Sequence, residues 1–199
     1  MTRFLKSEGT YESRSREDEN GFKDENGFEA SSALAAVLCK EGDAYMKLNK
    51  FDEGKTAYDH SRQIQERILE RAPENLERRL ELAVSKRSLG EAFLKISERD
   101  GDYKLLERAR DLCAQCDQIY IDAHKSLRTN VLFVEQEARW FYLKGMVEKD
   151  SNPSNARDAF ETARDLLAPL QEAKRLDRIG EEILGNVQTQ YQKFQASNN

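Results

Sequence analysis

Between Tyr103 and Ser126, the residues Leu106, Ala109, Cys113, Cys116, Tyr120 and Ala123, with Leu127 just beyond, recur at steps of three and four. That spacing places them on one stripe of an α-helix. Leu105, Leu112 and Ile119 form a second stripe beside the first, so the helix is apolar over a broad face. A helix covered that widely has neighbours on two sides.

The neighbours are legible by the same reasoning. From about Ser32 the helical signal hardly stops, and Leu38–Ser61 reads as two helical segments joined by a turn at Asn49–Lys50. Asn49 is expected to cap the second segment, with Asp52 in its first turn where a negative charge suits the helix dipole. That segment runs through Ile64 and Leu69 to Ala72, and Pro73 ends it. A third helix is expected over about Glu74–Glu98, followed by a turn at Arg99–Asp102 with Asp102 as cap. A fifth covers about Asn130–Lys149 and carries Phe133, Trp140, Phe141, Leu143 and Gly145. The chain breaks at Asp150–Pro153, restarts at Ser154 or Asn155, and is expected to be interrupted again at Pro169. A last amphipathic segment, about Leu176–Phe194, turns Ile179, Ile183, Leu184, Val187, Tyr191 and Phe194 to a core. It would close the stack with a polar outer face.

The 199 residues suffice for one domain. Charged residues make up 35 % and hydrophobic ones 38 %, so apolar surface must be concentrated on faces of regular elements. Acidic and basic residues are intermixed, with a net charge of −5. Without a basic patch to displace counterions from phosphate, nucleic acid is not an expected partner. No apolar stretch approaches the roughly 18 residues that span a bilayer; the longest, Ala33–Cys39, is far shorter. The N-terminal sequence lacks the apolar core of a secretory signal, and three cysteines do not make a disulfide framework. Both point to the cytoplasm.

Residues 1–31 read as a disordered tail, too poor in apolar groups to offset the entropy of ordering, leaving 32–199 as the folded domain. The tail holds a tandem hexapeptide, Asp18–Lys23 and Asp24–Glu29. It is either a drifted duplication or a two-copy motif anchored by Phe22 and Phe28.

Three glycines share a setting: Gly42 in Leu38–Tyr45, Gly90 in Leu89–Phe93, and Gly145 in Leu143–Val147. Each lies late in a helix that precedes a turn and a helix with small residues, namely Gly54 and Ser61, Ala109 and Cys116, and Ala159 and Ala163. On these residues the chain resembles the tetratricopeptide repeat family. The stretch Ala72–Asn75 through Leu82–Ser85 to Leu89–Gly90 is similar to the long-helix repeats of bacterial signalling proteins, which often stand beside kinase or protease-like domains. Successive glycines lie 48 and 55 residues apart, against roughly 34 for the common repeat. The excesses of 14 and 21 residues are close to four and six helical turns at about 3.6 residues each, which keeps the small residues facing their partners.

The resemblance implies an all-α, right-handed α-α superhelix of about three helical hairpins with a C-terminal capping helix. It further implies a non-catalytic adaptor or scaffold that binds a protein or peptide on a concave face lined by the first helix of each pair. On that analogy Asp43, Met46, Lys47, Arg87, Glu91, Leu94, Arg139, Tyr142 and Met146 are candidate contacts. Members that clamp the C-terminal carboxylate of chaperones use a lysine and an asparagine where this chain has Cys39 and Asp43, so that role is not expected. The alternatives are a permanent subunit of a larger complex, or a zinc- or redox-responsive regulator using Cys113 and Cys116.

The CxxC of Cys113 and Cys116 lies on the apolar stripe of its helix, where packing is expected. Zinc would require two further ligands, and Cys39, His60 and His124 offer no second paired spacing. No phosphate-cradling loop, nucleophile elbow or HExxH pair is present, and His60 and His124 lie on different helices with no evident set of carboxylate and nucleophile, as residues of a solvated helix surface would. Neither an enzyme nor a cofactor is therefore expected. Of Trp140, Phe141 and Tyr142, two should be core and one is free to face a groove, because successive helical residues diverge by about 100°.

Overall fold

The computed structural model describes residues 25–196. They form seven helices and no strand: α1 (Glu25–Lys47), α2 (Phe51–Arg71), α3 (Leu76–Asp100), α4 (Tyr103–Leu127), α5 (Val131–Glu148), α6 (Pro153–Glu172) and α7 (Arg178–Ala196). Among the described residues no helix is long and apolar enough to cross a membrane. Most of the expected tail, Phe22 included, lies outside the described residues, as does the side chain of Phe28.

The helix expected from Ser32 begins at Glu25. Side chains hold its first turns: Ser31 Oγ donates to the Gly27 carbonyl at 2.8 Å, and Ser32 Oγ accepts from Arg78 at 2.7 Å.

Five helix starts are capped as short polar residues dictate. Asn75, Asp102, Asn130, Asn152 and Asp177 each accept a backbone N–H from the first turn that follows, satisfying a donor that the helix itself leaves unpaired. Asn152 does so with Pro153 as the first helical residue, the position where a missing N–H is harmless. Gly101, at φ 71°, closes α3 in the left-handed conformation.

Asn49 departs from expectation. It does not cap α2; it ends α1 at φ 57°. The Lys50 N–H reaches the Tyr45 carbonyl at 2.9 Å and the Asn49 N–H reaches Met46 at 3.1 Å, the paired bonds of a Schellman motif. Lys50 takes the cap position without a side-chain bond. The same motif ends α6 at Lys174, φ 53°.

Pro169 does not break α6, which continues to Glu172. The proline stands in the last turn, and the carbonyl it deprives of a donor belongs to Asp165, an exposed residue.

Each helix packs on the next in sequence. In addition α1 touches α3, α3 touches α5 and α5 touches α7, whereas α2, α4 and α6 do not touch one another. The odd helices thus form a layer in mutual contact, with the even helices behind it. Small residues set the contacts between successive helices. Gly54, Ser61, Ala109, Cys116, Ala159 and Ala163 are all buried.

The stripe on α4 is buried at Ala109, Cys113, Cys116, Tyr120 and Ala123, and half-buried at its ends, Leu106 and Leu127. Trp140 stacks on Tyr120 with ring centroids 5.0 Å apart, and its Nε1 donates to the Cys113 carbonyl at 3.4 Å. Truncating a buried aromatic of this kind to Ala typically costs about 3–5 kcal/mol. Phe141 and Tyr142 are partly buried against the core.

Candidate functional site

A groove of 830 Å³ opens on the odd-helix layer, bounded by α1, α3 and α5 with Ser61 and Gln65 of α2 at its floor. Leu76, Leu80 and Val84 of α3 line it at the four-residue spacing of one helix face, and Ser88 continues the row. Leu127 and Leu132 face them from across the α4–α5 turn; Leu132 is 71 % exposed. The volume is in the usual range for ligand pockets, roughly 300–1,000 Å³, and apolar walls with a few polar groups are their usual lining.

Hydroxyls and a thiol meet at the floor. Ser61 Oγ donates to the Ala35 carbonyl at 2.8 Å and lies 3.0 Å from Ser85 Oγ. Cys39 Sγ is 3.2 Å from Ser61 Oγ and 3.4 Å from Ser85 Oγ. These contacts fix α1, α2 and α3 at one level. Gln65 is 3 % exposed, yet its Oε1 has no hydrogen-bond partner in the protein, which is costly for a buried acceptor.

At the other end of the groove stands a cluster of charge. Arg87 is 1 % exposed and donates to Glu91, to Gln136 Oε1 at 3.0 Å and to Ser88 Oγ at 3.4 Å. Arg139 Nη2 donates to the other oxygen of Glu91 at 3.3 Å. One carboxylate therefore serves two guanidiniums. Burial pushes the Glu91 carboxyl up, but Arg87 and Arg139 outweigh it and hold it below the usual carboxylate range. Asp43 is engaged separately, accepting the Tyr58 hydroxyl at 2.9 Å with Lys40 at 3.6 Å.

Of the candidate contacts, Asp43, Arg87 and Arg139 line the groove, and Glu91 joins the two arginines behind it. Met46 lies in the α1–α2 seam, its sulfur 3.0 Å from where a Cβ on Gly54 would stand. Leu94 and Met146 are core residues, Tyr142 packs at 5.9 Å from the Phe160 ring, and Lys47 is exposed at the end of α1. None of Trp140, Phe141 and Tyr142 lines the groove. Sequence reasoning missed the apolar wall, although the row Leu76, Leu80, Val84 was there to be read; what hid it is that a lining row and a core row share one periodicity.

Cys113 and Cys116 pack inside. Cys116 Sγ is 3.6 Å from the Ala83 carbonyl, and burial pushes its thiol up to about 12 and that of Cys113 well above the ordinary thiol range. A reactive thiolate needs the opposite shift. His124 does face a carboxylate, which the sequence did not reveal: its Nδ1 lies 2.8 Å from buried Glu137. Among the described residues no group of three or more His, Cys, Asp or Glu side chains converges as a metal site would.

Comparison with protein-family models, with curated proteins and with solved structures returns no match for this chain.

Proposed function

We propose that this chain is a non-catalytic adaptor of the tetratricopeptide-like kind, which holds a protein or peptide in the groove between α1, α3 and α5. In this reading α1–α2, α3–α4 and α5–α6 are three hairpins of a right-handed superhelix, α7 caps the stack, and the odd helices line the concave side. The observation that carries it is the groove's position on the layer whose helices touch one another: in a curved stack the closer layer is the inner one. The recurrence of Gly42 against Tyr58 and Gly145 against Phe160 supports a repeated unit.

The test is affinity capture from the cells that make the protein, using the full chain and three charge-introducing variants. Leu132→Glu and Arg139→Glu alter the groove; Arg157→Glu alters an exposed site on α6. Partners retained by the parent and by Arg157→Glu, but lost from both groove variants, are the expected result. Equal capture by all four proteins removes the reading.

A further inference from the structure

The groove is electrically polar along its length. Glu77 and Glu81 line one end, while Arg87 and Arg139 line the other. Glu81 is already bound by Arg78 at 2.9 Å, which leaves Glu77 exposed in the first turn of α3. At the far end Arg87 and Arg139 share Glu91 while Lys40 pairs with Asp43, a surplus of one positive charge. Gln65, whose buried Oε1 has no hydrogen-bond partner, is a second, independent feature of the lining of the same cavity. It lies on the floor one helical turn from Ser61, toward the level of Glu81, because α2 runs antiparallel to α3 and Ser61 is level with Ser85. That buried acceptor, with Glu77, asks for a donor. The N-termini of α3 and α5 on that side are closed by Asn75 and Asn130, so their partial charges, about half a unit each, do not reverse the formal ones.

Resting on the function proposed above, we infer that the groove accepts a short peptide in one orientation, with a basic residue at Gln65 and Glu77, apolar side chains on Leu80, Val84 and Leu132, and a carboxylate at Arg139. Arg139 meets Arg87 at Glu91, and Glu77 and Arg87 are ten residues apart on α3, a rise of about 15 Å at about 1.5 Å per residue. An extended peptide covers that span in about four to five residues, which sets the separation of its two charges. Opposite charges at the two ends fix register and direction more than they add affinity.

Panning a phage-displayed library of random linear heptapeptides on the immobilised full chain tests this. Enriched sequences should carry one basic and one acidic residue about four positions apart with apolar residues between. A fluorescein-labelled enriched peptide should bind Arg139→Ala about tenfold or more weakly, the loss expected when a charge-assisted hydrogen bond is removed. Its twin with acid replaced by amide should lose as much on the parent and little more on Arg139→Ala. Exchanging the basic and acidic residues of the peptide should weaken it by a similar factor. Equal binding of the exchanged peptide, or indifference to Arg139→Ala, overturns the inference while leaving peptide binding intact. If nothing is enriched, or enriched peptides bind Leu132→Glu as well as the parent, the reading beneath it fails instead. Leu132 and Arg139 both reach solvent, and circular dichroism melts of each variant confirm that the fold is kept.

Discussion

The Phe160 ring lies so close over Gly145 that a Cβ there would stand 2.6 Å from it, and the Tyr58 ring covers Gly42 in the same way at 2.5 Å. Neither ring is free to swing aside, because each is buried in the core. Gly145→Ala and Gly42→Ala are expected to destabilise by about 1–3 kcal/mol net, since overpacking of this severity exceeds the roughly 1 kcal/mol that alanine gains over glycine within a helix. Gly185, on α7 with nothing near its would-be Cβ, should show that gain alone and be stabilised by Ala by up to about 1 kcal/mol. Urea unfolding of the three variants measures the contrast, and a destabilised Gly185→Ala would contradict it.

Glu91 between two arginines gives an order of severities. Glu91→Gln leaves buried Arg87 without a counter-charge and is expected to cost about 3 kcal/mol or more. Arg139→Ala keeps the Arg87–Glu91 pair and removes a partly exposed partner, so it should cost about 1 kcal/mol or less. Denaturant midpoints that rank the two variants the other way would show that Arg87 is satisfied by Gln136 and Ser88 alone.

The α1–α2 turn separates two roles that sequence alone confused. Asn49→Gly is expected to be neutral or stabilising by up to about 1 kcal/mol, because glycine takes positive φ more readily than asparagine. Lys50→Asp should stabilise by about 1 kcal/mol by supplying the missing cap and a favourable charge at the start of α2. Thermal melts of both proteins check this; a loss of stability in Asn49→Gly would restore asparagine as the cap.

The fold's dependence on alkaline pH follows from its buried thiols. Burial raises Cys116 from an ordinary 9.0 to about 12, and it raises Cys113 as well. Above pH 9 the unfolded chain therefore loses protons that the folded chain keeps, and stability falls as pH rises. The slope is roughly one kcal/mol per pH unit for each thiol. Urea midpoints between pH 8 and 10, below the range in which buried Tyr58 and Tyr120 add a slope of the same sign, should decline for the parent, and about half as steeply for Cys116→Ala. The slope is the readout, so a uniform loss in the variant does not affect the comparison.

Much of the architecture was legible because burial imposes a period. The α4 stripe, the capping residue Asp102, and the small residues at helix contacts follow from spacing and local chemistry alone. Asn49 and Pro169 were misread for one reason: each is a residue whose meaning depends on which helix end it serves. Asn49 suits a helix start by its side chain and a helix end by its tolerance of positive φ, and only the backbone decides between them. The groove was half legible. Asp43, Arg87 and Arg139 were found by analogy with a repeat, whereas Gln65 on α2 reaches it only through packing, which no spacing along one helix encodes.

The odd helices touch and the even ones do not, and this gives the chain a parity. Inserting or deleting one helix would move every later helix to the opposite layer and turn its face away from the groove side. Inserting a pair would leave all of them where they are. Changes in the length of such a chain are therefore tolerated in steps of two helices, and a duplication boundary should fall between an even helix and the odd helix that follows it.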